Sequence, residues 1–132
     1  MSAFLLDTHV ILWLATNPDR IPAAVRTELE QAEEIFVSAV SWYELSQKAR
    51  WGRLPSAAGL LARWEYFVNE LMAQELPLSS EEAIRAGDLR WEHRDPFDRM
   101  LVAQAQLNGL CLVTRDETLR NYSEVTVIKW NK

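Results

Sequence analysis

The sequence has 132 residues, about one domain on a scale of roughly 100–200 residues per domain, and its 48% apolar content is enough to bury a core, which excludes a disordered chain. Fourteen Lys and Arg against 19 Asp and Glu give a formal net charge of -5. That balance lacks the usual basic footprint of a nucleic-acid binder and suits neither a polybasic membrane arm nor a basic tail, and the one cysteine excludes a disulfide scaffold.

The elements follow in chain order. Ala3–Leu6 is a short apolar strand, and Thr8–Ala15 follows it without a turn break, apolar on nearly all sides as a buried helix is. Pro22 opens a second helix with Val25 and Leu29 on one face. Ile35–Val37 is a second strand. Ser41 opens the next helix, with Trp42, Leu45 and Ala49 aligned. The longest helix is expected over Ala57–Gln74, with Leu60, Trp64, Phe67, Val68 and Leu71 in one stripe. Glu75–Leu78 is a weak third strand and Ser80–Arg90 a helix. Asp95-Pro96 starts a further helix, since Asp caps and Pro suits the first position, and Asn108-Gly109 stops it. Leu110–Val113 and Val125–Trp130 are the remaining strands.

Strands separated by helices imply right-handed crossovers and a mostly parallel, five-stranded sheet covered on both faces, an α/β fold. No Gly/Pro/Ser-rich linker divides the chain, so residues 1–132 are expected to form one domain. The apolar run Val10–Ala15 is far short of the roughly 18–20 residues a membrane span needs. The start has no basic region and meets Asp7 at once, unlike a signal peptide, so the cytoplasm is the expected location.

In parallel α/β sheets, ligands bind beyond the carboxyl ends of the strands. Asp7 directly follows the first strand, Glu44 lies one turn into the helix after the second, Asp98 is in the first turn of the helix before the fourth, and Asp116 stands three residues beyond Val113. Each has a local explanation: Asp7 and Asp116 as helix caps, Glu44 in a capping box with Ser41, Asp98 at a positive helix end. Four independent caps need not converge on one sheet edge. If they converge, the carboxylates repel and must take up protons or a cation. Oxygen ligands without Cys or His favour Mg²⁺ or Mn²⁺ over Zn²⁺, and metal-assisted phosphodiester hydrolysis is the chemistry that fits.

These same residues resemble a known family. Phe4-Leu-Leu-Asp7-Thr8-His9, Ser41-x-x-Glu44 with Lys48 following, the segment His93-Arg-Asp-Pro-Phe-Asp98-Arg99-Met, and Thr114-Arg-Asp116 are similar, in order and spacing, to the PIN domain, and within it to the VapC-type toxins of bacterial toxin–antitoxin systems. The resemblance implies a three-layer α/β/α fold with a parallel, mostly five-stranded sheet, and a Mg²⁺- or Mn²⁺-dependent endoribonuclease cutting RNA. It also implies a cognate VapB-type antitoxin covering the site, and a homodimer. The family's acidic quartet falls on Asp7, Glu44, Asp98 and Asp116, as catalytic and metal-holding residues, with Thr8 and Thr114 as hydrogen-bonding support. The position of a further acidic residue found in some members has Leu119 in its neighbourhood.

Cations beside an aromatic suit single-stranded RNA. Lys48, Arg50 and Arg53 around Trp51 form such a stretch, and Arg99 and Arg115 each adjoin a site aspartate. Asp95 is expected to be a cap, His9 and His93 structural or partner-contacting, and Cys111 a small apolar residue. The alternative function is a non-catalytic acidic α/β binding domain whose carboxylates are caps or an inert metal site. A phosphate-handling receiver domain would use Lys129 but lacks a phosphoacceptor Asp at Pro77–Ser80. A haloacid-dehalogenase-type phosphatase would need an Asp where His9 stands. Without the quartet, 15 acidic residues face 14 basic ones, so the negative charge belongs mostly to one site.

Overall fold

The computed structural model describes residues 2–130. Four strands, β1 (Ala3–Leu6), β2 (Glu34–Ser38), β3 (Gln74–Leu76) and β4 (Cys111–Val113), form one parallel sheet in the order β3-β2-β1-β4. The chain builds outward from β1 on one side and returns to its other side with β4. The order therefore reverses at β1, which opens a crevice at the carboxyl ends of β1 and β4.

Successive residues of β1 point to opposite faces. Phe4 and Leu6 enter one core and Leu5 the other. The first core holds α1 (Thr8–Thr16), α2 (Ala23–Glu30), α3 (Ala39–Arg50) and α4 (Ala57–Leu61), through Val10, Ile11, Val25, Leu29, Leu45 and Leu60. The second holds α7 (Pro96–Asn108) and α8 (Glu117–Arg120), through Leu101, Val102, Ala105 and Leu119. α5 (Trp64–Glu70) lies after α4, and α6 (Ser80–Asp88) packs on α7. Because both faces are covered, β1 is apolar throughout rather than alternating. These are the three layers expected.

Four expectations are corrected. The sheet has four strands rather than five: residues 125–130 make a single parallel bridge, Leu112 to Val127, held by Leu112 N–H to the Thr126 carbonyl (2.8 Å) and Ile128 N–H to the Leu112 carbonyl (2.9 Å). β4 has only three residues to offer before the chain turns at Thr114, so a longer ladder has no partner there. The long helix breaks in two. Arg63 leaves helical geometry (φ -140°, ψ 38°), and Trp64 and Phe67 then pack on Trp42, with ring centroids 6.0 and 6.4 Å away. Tertiary packing of that aromatic cluster overrides the helical stripe. The third strand is Gln74–Leu76, one residue early, and stops before Pro77, which has no N–H for a ladder. α3 begins at Ala39, capped by the Ser38 hydroxyl on the Val40 N–H, so Ser41 lies inside the helix and forms no capping box with Glu44.

Candidate metal centre

Asp7, Asp98 and Asp116 are delivered by element ends, and Glu44 by the interior of α3. Asp7 is the N-cap of α1: its Oδ1 accepts from the Thr8 N–H (2.7 Å), and its own N–H bonds the Val113 carbonyl (2.9 Å), which ties it to the end of β4. Its Oδ2 accepts from the Thr114 hydroxyl (2.7 Å), whose oxygen in turn accepts from the Asp116 N–H (3.0 Å). Thr114 thus joins two of the proposed carboxylates in one chain of hydrogen bonds. Thr8 donates its hydroxyl to Ser41 Oγ (3.0 Å), which packs α1 against α3 one turn before Glu44. Of the two threonine hydroxyls, Thr114's contacts a proposed carboxylate and Thr8's contacts Ser41.

Glu44, mid-helix in α3 and 4% exposed, pairs with Lys48 Nζ at 2.6 Å. A carboxylate that cannot be explained as a cap and is buried within a helix is a costly feature unless it is paired or ligating. Asp98 is in the first turn of α7, and Asp95 caps that helix, accepting from the Phe97 and Asp98 N–H groups (2.8 and 3.3 Å). Asp98 Oδ2 lies 2.6 Å from His93 Nε2. Asp116 is exposed and caps α8 through the Thr118 N–H (2.8 Å). Asp7 and Asp116 are therefore caps as well as site candidates, whereas Glu44 and Asp98 are not caps.

The electrostatics shows which groups share space. Burial pushes the Asp7 carboxyl above its ordinary value; the Thr114 hydroxyl, His9 and the Thr8 N–H oppose this, and the nearby Glu44 charge adds to it. Burial likewise raises Asp98, to about 7, against the His93 hydrogen bond, with Asp7 and Asp95 contributing repulsion. Asp7 feels Glu44, and Asp98 feels Asp7. Three elements thus bring carboxylates within electrostatic reach of one another.

Among the described residues, His93, Asp95 and Asp98 are the group whose ligand atoms all lie within 4.8 Å of one another. The quartet itself is more open. His93, expected to be structural or partner-contacting, is a hydrogen-bonding neighbour of Asp98; the spacing of five residues, spanning the start of α7, carries no periodic signal. Asp7 and Asp116 line a cleft of about 260 Å³ together with His9, Trp13 and Arg115.

The basic residues separate into groups. Arg99 is turned inward: Nε donates to the Ala86 carbonyl (2.9 Å), Nη1 to those of Trp91 and His93 (2.8 and 2.9 Å), and Nη2 to those of Gly87 and Leu89 (3.3 and 2.7 Å). All five guanidinium donors are used. This corrects the expectation that Arg99 meets phosphate: it instead pins the segment that carries His93. Lys48 is committed to Glu44. Trp51 ends α3, about two turns beyond Glu44; it is 56% exposed, with the Arg53 guanidinium 5.3 Å from its ring and Arg50 exposed beside it. Arg115 lines the acidic cleft. Cys111 is half-buried; burial, and then the Glu28 charge, push its thiol up, so it is an unreactive packing residue.

An open parallel sheet with carboxylates gathered where its strand order reverses defines a class of acidic, cation-binding α/β domains. The PIN domain family model matches residues 4–125, and the chain belongs to that family. It is 31% identical over 122 residues to Ribonuclease VapC22 of Mycobacterium tuberculosis, covering 92% of this chain and 93% of that protein. Its fold is similar to that of DNA-bound VapBC from Salmonella typhimurium (TM-score 0.75, 22% identity, 99% and 100% coverage). It is also similar to a toxin-antitoxin complex from Klebsiella pneumoniae (TM-score 0.61, 20% identity, 95% of each chain). No helix among the described residues is long and apolar enough to cross a membrane.

Proposed function

We propose that this chain is a divalent-metal-dependent endoribonuclease toxin of the VapC type, held inactive by a VapB-type antitoxin. The observation that carries the reading is the placement of buried Asp7 at the carboxyl end of β1, joined through Thr114 to Asp116, with the Asp7 and Asp98 carboxyls both pushed up by burial first and by neighbouring carboxylates as well. Family membership and the likeness to a curated ribonuclease support it.

The donor set fits a hard cation. Asp7, Glu44, Asp98 and Asp116 supply only oxygen, and Asp7 forms no ion pair among the described residues. Those four would hold Mg²⁺ or Mn²⁺. When bound, such an ion supplies a Lewis acid toward a phosphoryl oxygen and lowers the pKa of a bound water. The chain's own groups do the positioning. Thr114 orients Asp7 and holds the Asp116 backbone, Thr8 fixes the start of α1 against α3, and Lys48 offsets part of the Glu44 charge. Glu44 would hold the metal through water or orient the attacking water; in-line attack of that water on phosphorus breaks the P–O3′ bond, giving a 5′-phosphate and a 3′-hydroxyl that takes up a proton. Trp51 with Arg50 and Arg53, and Arg115 at the cleft, contact the RNA.

The antitoxin places a basic side chain over the carboxylates, which is the complement an acidic cleft asks for. The active form is a homodimer, and the protein works in the cytoplasm on RNA. The test is RNA cleavage under Mg²⁺ and Mn²⁺ titration by the parent and by Asp7→Asn and Asp98→Asn. Loss of cleavage in both variants is expected. Undiminished, metal-independent cleavage would sink the reading in favour of a non-catalytic acidic domain.

A further inference from the structure

Trp13 stands at the mouth of the acidic cleft, half-buried, with Trp130 behind it at 6.4 Å between ring centroids. Two guanidinium groups lie over its ring: Arg20, from the short 3-10 turn Pro18–Arg20, at 4.5 Å, and Arg115 at 5.9 Å. His9 adds a third ring 5.9 Å away. Arg20, Arg115 and His9 are all exposed. Neither arginine forms an ion pair among the described residues, although Asp7 and Asp116 line the same cleft as Arg115. A purely structural Trp13 would need its packing on Trp130 and nothing more. Two unpaired cations gathered on its ring, beside carboxylates that repel phosphate, are a separate feature.

We propose that Trp13, Arg20 and Arg115 form a subsite for one unpaired nucleotide of the RNA, immediately beside the carboxylates; the inference rests on the nuclease reading above. The base stacks at the Trp13 ring in place of one guanidinium, and the displaced arginine and its neighbour meet the flanking phosphates. Aromatic faces accept any base, and cation–π contact keeps the arginines poised there when RNA is absent. The cleft, at about 260 Å³, falls below the roughly 300–1,000 Å³ usual for drug-sized ligands and suits a single base. Arg20 and Arg115 also offset the negative potential that the carboxylates present to an incoming strand.

The test is binding of a fluorescein-labelled, mixed-sequence single-stranded RNA octamer in EDTA, followed by anisotropy at several salt concentrations. Trp13→Leu is expected to weaken binding by about 5- to 100-fold, the range of one lost base stack, while Trp13→Phe stays within about threefold of the parent. Arg20→Gln and Arg115→Gln should each weaken binding and reduce the salt slope by about one. The two arginines are exposed, so their variants decide the matter alone if Trp13→Leu does not fold. Parent-like binding by the arginine variants overturns the proposal, as does parent-like binding by a folded Trp13→Leu. So do variants that keep RNA binding but lose affinity for the antitoxin, which would make the cluster a protein contact. Binding without cleavage in Mn²⁺ would remove the nuclease reading and leave the subsite. Cleavage with KM unchanged in every variant would do the reverse.

Discussion

Asp98→Asn should stabilise the metal-free protein, and only above a definable pH. The Asp98 carboxyl sits at about 7 in the folded chain against an ordinary value of 3.8, so between those values the native state holds a proton that the unfolded chain has released. Stability therefore falls as pH rises through that window and levels off above about 7. The full displacement corresponds to roughly 4 kcal/mol of destabilisation at pH 8, which solvent screening of the partly exposed carboxyl reduces to about 3 kcal/mol. Asparagine keeps the shape and removes the charge but weakens the contact with His93, a loss of about 1 kcal/mol. A net gain of about 2 kcal/mol at pH 8 would raise Tm by roughly 6–8 °C for a domain of this size. At pH 4 the gain should vanish. Thermal melts in EDTA across pH 4 to 8 measure it, and adding Mg²⁺ should raise the parent's Tm more than the variant's. An Asn variant that melts at or below the parent at pH 8 would refute the claim that the ionised Asp98 carboxylate destabilises the metal-free fold.

Three further outcomes follow from contacts in the structure. Thr114→Val removes the hydroxyl that lowers the Asp7 pKa and holds the Asp116 N–H; metal-free stability should fall by about 1–3 kcal/mol, and half-saturation of cleavage should need more Mg²⁺. Arg99→Ala removes five hydrogen bonds to carbonyls between Ala86 and His93, of which only that of Leu89 keeps a second partner among the described residues, the Trp91 N–H; a loss of at least about 2 kcal/mol in urea unfolding is expected, and Arg99→Lys should recover little because an ammonium cannot span that fork. Gln104 is fully buried and joins Ser38 (2.6 Å) to Glu82 (3.1 Å), so Gln104→Leu should cost about 2–4 kcal/mol, with a Tm matching the parent's as the contrary result.

The helix caps and breakers were legible because they act locally. Asp95-Pro96 starts α7 and Gly109, at φ 64°, ends it, as the residue types require. The β1 strand was legible because an uninterrupted apolar run beside a helix has few other solutions. The four carboxylates, Glu44 among them, are legible as candidates from their positions near strand ends and helix starts, and the family resemblance adds their joint role and the order of the motifs. What those residues become was not. Nothing local distinguishes Asp7 as a cap from Asp7 as a crowded carboxyl; that depends on Thr114, 107 positions away, and on Glu44 across two helices. Arg99 beside Asp98 looks like a phosphate contact, and only the return of residues 86–93 over its guanidinium turns it into a brace. The fifth strand has the right alternation but depends on the length of β4. Burial, charge crowding and edge pairing are sums over elements distant in the chain, so tertiary structure decides them, whereas φ preferences and missing N–H groups belong to single residues and are fixed by the sequence.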